Sequence, residues 1–160
     1  MADIQIMTPL HVSEVCAIEE ATFATPWSRQ SIEREVTGNP CARYLVITEG
    51  AHVLGYAGMW LILDEAHITN VAIRQDKRGA GLGEKLMRAL VQLAADSGMN
   101  WMTLEVRASN LPAQNLWASS TLAGAKIITR ITVRTPFSWR WSICRRAILK
   151  TTPSLCLRRI

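Results

Sequence analysis

Residues 78–84 read Arg78-Gly79-Ala80-Gly81-Leu82-Gly83-Glu84. They stand between an apolar run, Val71-Ala72-Ile73, and a stretch with helical spacing that starts at Lys85-Leu86. Three glycines at alternate positions give a turn whose backbone reaches φ > 0 without steric cost and whose N–H groups lie open to close approach. The helix behind it adds roughly half a positive charge at its N-terminus. A strand, a glycine-rich turn and a helix start together form an anion site that needs no basic side chain. The chemistry expected here is capture of a diphosphate. The spacing does not fit the phosphate loop of nucleotide hydrolases, which ends in Gly-Lys-Ser/Thr. Nor does it fit the dinucleotide fingerprint, because Glu84 and Leu86 stand where further glycines would be needed.

A second group of residues narrows the choice. Leu104-Glu105-Val106-Arg107-Ala108-Ser109-Asn110 leads into Gln114-Asn115-Leu116-Trp117; Asp64–Ile73 precedes the turn, and Pro26-Trp27-Ser28 lies further upstream. In this order the segments resemble the Gcn5-related N-acetyltransferases. Within them they resemble the bacterial enzymes that acetylate the N-terminal alanine of a small-subunit ribosomal protein. The likeness spans about residues 3–117. It implies a single-domain α/β fold, a mixed central sheet with flanking helices, acetyl-CoA as donor and a protein N-terminus as acceptor. It also implies that Val71, Ala72, Ile73, Arg78, Gly79, Ala80, Gly81, Leu82, Gly83, Glu84 and Asn110 contact acetyl-CoA.

An amine attacks a thioester only when neutral, and an α-amine has a pKa of about 7.7–8.0, so a base is needed near neutrality. The resemblance gives that role to Glu105. Asn110 is read either as a cofactor contact or as the cap of a helix entered through Pro112. The family's general acid is a tyrosine, and Trp117 occupies its position. An indole N–H donates a hydrogen bond but is not a usable acid, and loss of a general acid costs about 10²–10⁴ in rate. Reduced activity is therefore expected; the alternatives are a non-catalytic acetyl-CoA-binding remnant and an acetyltransferase acting on a small-molecule amine. Trp27 is read as lining the acceptor groove or as anchoring the first pair of helices.

The chain has 160 residues, 49% of them hydrophobic, enough for one domain with a sizeable core. No run reaches the roughly 18 apolar residues of a membrane span, and the first residues lack the pattern of a signal peptide. A cytoplasmic protein is expected. Cys16, Cys41, Cys144 and Cys156 show no paired spacing, and His11, His52 and His67 are scattered, so no metal site is expected. The net charge is +5. Residues 1–117 hold nine Lys/Arg against thirteen Asp/Glu, a net −4, whereas residues 118–160 hold nine Lys/Arg and no acid. All the excess positive charge thus lies in the tail, so no nucleic-acid partner is inferred for the body.

The elements that must position these residues follow from periodicity. Strands are expected at Asp3–Thr8, Tyr44–Thr48, Val53–Leu63, Ala66–Arg74 and Trp101–Val106. Helices are expected over Leu10–Phe23 with Thr8 as cap, over Ser28–Val36, over Gly83–Ser97 closed by Gly98, and from Pro112.

Beyond Trp117 the resemblance stops, and two domains of meaning are expected: an acetyltransferase core over 1–117 and an aberrant basic tail over 118–160 in place of the family's C-terminal hairpin. Taking residues 126–144 from the third base of each codon permits a run that opens Asn-Tyr-Tyr-Pro-Asp-Asn-Gly-Glu-Asp-Ala, the family's ending that this chain lacks. A slip of reading frame at or just after Trp117 is the expectation. Ile127–Arg134 alternates with period two and could give one edge strand; no more than one strand is expected from the tail.

Overall fold

In a computed structural model, the protein is described over residues 2–107, 109–120, 128–135 and 138–144. Strands β1 (Asp3–Ile6), β2 (Ala42–Glu49), β3 (His52–Ile62), β4 (Glu65–Ile73), β5 (Trp101–Arg107), β6 (Ile128–Thr135) and β7 (Ser138–Cys144) form one sheet in sequence order. Helices α1 (Val12–Thr22), α2 (Arg29–Thr37), α3 (Leu82–Asp96) and α4 (Leu111–Ser120) flank it. β1 to β4 pair antiparallel, β4–β5 and β5–β6 pair parallel, and β6–β7 pair antiparallel. This is the mixed sheet with flanking helices expected from the sequence.

Each face of the sheet carries its own core. α3 places Leu82, Leu86, Met87, Leu90, Val91 and Ala94 inward, the i, i+4 spacing of an amphipathic helix. They pack with Leu45, Ile47, Met59, Ala66 and Met102. On the opposite face Val12, Val15 and Ile18 of α1 and Ile32 of α2 pack with Tyr44, Val46, Tyr56 and Ala72. Local signals end the helices where expected. Ser28 accepts from the Ser31 N–H at 3.1 Å at the start of α2. Gly98, at φ +80°, closes α3, with the Met99 N–H on the Ala94 carbonyl at 3.1 Å.

Two expectations need correction. Thr8 does not cap α1 directly: a short 3-10 turn, Pro9–His11, intervenes, and β1 stops at Ile6. The proline's fixed φ and missing N–H suit the first position of that turn and end the strand. Residues 118–160 give two strands rather than at most one. Residues 138–144 read Ser-Trp-Arg-Trp-Ser-Ile-Cys, an alternation as regular as that of β6. Period-two alternation suffices for a strand wherever an open edge is offered, and β5 offers one.

Candidate active site

The site is made by strands that part. β4 pairs with β5 only from Glu65↔Trp101 to Ile68↔Leu104. β4 then continues to Ile73 against β3, and β5 continues to Arg107 against β6. Beyond Ile68 and Leu104 the two strands leave each other, and the facing edge of β4 is unpaired with β5. A cavity of about 540 Å³ fills the gap. Asn70 and Val71 line it from β4, Glu105 from β5, Phe23 from the loop after α1, and Asn110 and Leu116 from the other side.

A bulge sets where the strands part. The β3–β4 register passes from Met59↔Ile68 to Gly58↔Asn70, leaving Thr69 as the extra residue. One extra residue inverts the facing of all that follow. Ala66 and Ile68 accordingly belong to the α3-side core, and Ala72 to the α1-side core. The Tyr44 hydroxyl and Thr69 Oγ1 lie 3.0 Å apart, pinning the bulge. The Tyr44 ring crosses directly over Gly58, where a β-carbon would come within 2.1 Å of it; only glycine leaves room. Burial pushes the Tyr44 hydroxyl far above its ordinary range, offset in part by Thr69.

At the far end of β4 the chain enters the glycine turn. Gly79 and Gly81 take φ +81° and +73°, and the space where their β-carbons would stand is open. Gly81 is the N-terminal cap of α3, and its carbonyl accepts from the Lys85 N–H at 3.1 Å. The first N–H groups of the helix lack intrahelical acceptors. Successive amides in a turn of this kind make an anion-binding concavity, so the residues present fit a pyrophosphate. The Arg78 side chain turns back to the protein: its guanidinium donates to the Ile73 carbonyl at 3.1 Å and reaches Thr22 Oγ1 at 3.5 Å. Arg78 therefore braces the turn between β4 and α1. Glu84 is engaged in the same way, bound to Arg88 at 2.7 Å one helical turn on. Ala80 is exposed on the turn and Leu82 is buried beneath it. From Ile73 to Asn70 the unpaired edge runs about 10 Å at ordinary strand rise, which suits an extended ligand with an anion at one end.

The remaining expected residues fall out clearly. Asn110 is a cap, its Oδ1 accepting from the Ala113 N–H at 3.2 Å, and it also lines the cavity. Val71 lines the cavity, Ile73 packs on the α3-side core and Ala72 on the α1-side core. Trp27 packs against the α1-side core and does not line the cavity; the loop residues at the cavity are Phe23, Ala24 and Thr25. Trp117 lies on α4; its side chain is outside the described residues. Sequence reasoning missed Glu19. It is 1% exposed, and its carboxylate accepts from the Trp27 N–H at 2.9 Å, from the Tyr56 hydroxyl and from Asn70 Nδ2 at 3.1 Å. The available signal was its spacing, four residues after Val15 and seven after Val12, on the apolar stripe of α1.

The chain belongs to the GNAT family of acetyltransferases, whose family model matches residues 12–120. It is thus an acetyl-CoA-dependent transferase. Among relatives, a Bacillus subtilis protein is 43% identical over 106 residues, 66% of this chain and 70% of its own length. The ribosomal protein bS18-alanine N-acetyltransferase of Salmonella typhimurium is 33% identical over 121 residues, 74% of this chain and 79% of its own. The crystal structure of the ribosomal-protein-S18-alanine N-acetyltransferase from Escherichia coli superposes with a TM-score of 0.68 at 28% identity, covering 74% of this chain and 76% of that one.

Proposed function

We propose that the chain transfers the acetyl group of acetyl-CoA to the α-amine of a protein N-terminus, that of ribosomal protein bS18 beginning with alanine. The observation that carries this reading is the placement of Glu105 on the cavity wall, where β4 and β5 have just parted. The likeness to relatives named for that reaction supports the acceptor. When bound, acetyl-CoA supplies the thioester carbonyl. The glycine turn Gly79–Glu84 holds the pyrophosphate, the edge Val71–Ile73 receives the extended arm, and Asn110, the residue before α4, borders the arm. Glu105 takes the proton that the amine must lose, directly or through a water. The position of a general acid is filled by Trp117, which cannot serve as one. The departing sulfur then takes its proton from solvent, and turnover is lower for it. Ribosomes and acetyl-CoA place the reaction in the cytoplasm. Among the described residues no helix is long and apolar enough to cross a membrane.

The tail is read with this function. A reading-frame slip at or just after Trp117 separates the core 1–117 from residues 118–160 and explains why a basic hairpin stands where the family carries its acidic, tyrosine-bearing one. The test is incubation of the protein with acetyl-CoA and an alanine-starting bS18 peptide, with fragmentation mass spectrometry to locate the label. An acetyl group on the α-amine is expected, strongly reduced by Glu105→Gln. A protein that binds acetyl-CoA but leaves the peptide unmodified refutes the acceptor assignment.

A further inference from the structure

Asn70 holds the one buried side-chain polar atom without a partner among the described residues, its carbonyl oxygen Oδ1. An enclosed acceptor left unpaired is costly, so native structures satisfy such groups with protein, water or ligand. The orientation of this amide is not free. Its Nδ2 donates to the Glu19 carboxylate at 3.1 Å, and with the Trp27 N–H and the Tyr56 hydroxyl also donating to Glu19, the carboxylate can only accept. Turning the amide over would set two oxygens against each other. Glu19 therefore forces Oδ1 to face away from α1. The residue that carries it borders the cavity shared with Glu105. The Thr69 bulge puts it there, since without the inversion Asn70 would fall on the other face of β4.

We propose that Asn70 Oδ1 is the ligand of the acceptor amine: it takes a hydrogen bond from the N–H of the α-amine, with Glu19 as the positioning residue that fixes the amide. This rests on the reading of the cavity as an amine-acetylating site. A primary ammonium that gives one proton to Glu105 becomes an amine with two N–H groups. One remains on Oδ1 and aims the lone pair along the cavity. As the nitrogen bonds to carbon it becomes more positive, and an amide oxygen on its N–H favours that change. The arrangement selects a donor at this point, so amines are preferred over alcohols whose one hydrogen must go to the base.

The test is a cycle between Asn70 and the amine itself. The probes are an alanine-starting bS18 peptide and the same peptide with a propionyl group in place of alanine, which lacks only the amine. Binding of each to the protein–CoA complex is measured by calorimetry. The wild-type chain is expected to prefer the amine peptide, and Asn70→Ala to reduce that preference about tenfold or more, with acetyl-CoA affinity unchanged. Asn70→Ser, which keeps an acceptor oxygen, recovers part of it. Glu19→Gln raises the peptide KM more than it lowers kcat, because the amide can then turn over. The peptide substitution does not touch the protein, so a fold defect in a variant cannot mimic the coupling. An unchanged preference in Asn70→Ala, with wild-type peptide acetylation intact, overturns the assignment of Asn70 alone. A wild-type chain that acetylates no peptide overturns the acceptor reading and this assignment with it.

Discussion

The glycine turn can be tested by a pair of substitutions that share one backbone cost and differ only in place. Gly81 and Gly50 both sit in the left-handed region, at φ +73° and +60°, and both have open space where a β-carbon would stand. Gly50 lies in the β2–β3 hairpin, and Gly81 caps α3 at the expected pyrophosphate cradle. Alanine in this region costs about 1–2 kcal/mol, so Gly81→Ala and Gly50→Ala should each lower Tm by about 2–8 °C for a domain of this size. Binding should separate them. In Gly81→Ala either the turn relaxes and its amides rotate away, or the methyl group stands in the cradle. Loss of one charge-assisted hydrogen bond, about 1.5–3 kcal/mol, weakens acetyl-CoA binding about 10- to 100-fold. Gly50→Ala should bind as the wild type does. Calorimetric titration with acetyl-CoA reads the difference at a temperature where both variants are folded. Undiminished affinity in Gly81→Ala, or equal loss in Gly50→Ala, would refute the argument that this turn holds the pyrophosphate.

The other predictions concern proton chemistry and the tail. Glu105→Gln should cut peptide turnover about 10²–10⁴-fold while sparing acetyl-CoA affinity, with the deficit largest below the amine pKa of about 7.7–8.0 and shrinking as pH rises above it; a flat deficit across that range would make Glu105 structural. Burial holds the Tyr44 hydroxyl neutral in the folded state, so its stabilisation is complete below the unfolded tyrosine pKa of about 10 and is lost as pH rises beyond it; Tyr44→Phe should abolish that part of the alkaline decline in Tm while costing about 1 kcal/mol at neutral pH through Thr69. Burial also raises the Cys16 thiol above its ordinary range, and Cys41 is exposed, so peptide mapping after iodoacetamide treatment at pH 8 should find Cys41 labelled well before Cys16. A chain carrying the frame-corrected ending should exceed this one in both thermal stability and peptide turnover; equality in both would dismiss the frame slip.

The parts of this protein that could be read from sequence are those whose causes lie within a few residues. Ser28 and Gly98 mark helix ends because caps and left-handed turns are set by immediate neighbours. The glycine turn was recognisable for the same reason, though the inward turn of Arg78 toward Ile73 and Thr22 was not, since Thr22 lies 56 residues away. In the tail, residues 138–144 alternate as plainly as 128–135, and that alternation pairs them as a strand despite the uncompensated positive charge around them. The bulge left no local mark at all. His67-Ile68-Thr69-Asn70-Val71-Ala72 reads as an ordinary strand, and only the packing of Ile68 and Ala72 on opposite cores shows that the facing has inverted. Glu19 is the deepest case. A carboxylate on a helix reads as solvated, yet its three donors come from 8, 37 and 51 residues downstream. That network joins α1, the loop before α2, β3 and β4, and no one of these segments explains it alone. The strand order that lets β4 and β5 part also gathers these donors, so the same topology that opens the cavity fixes the amide at its wall.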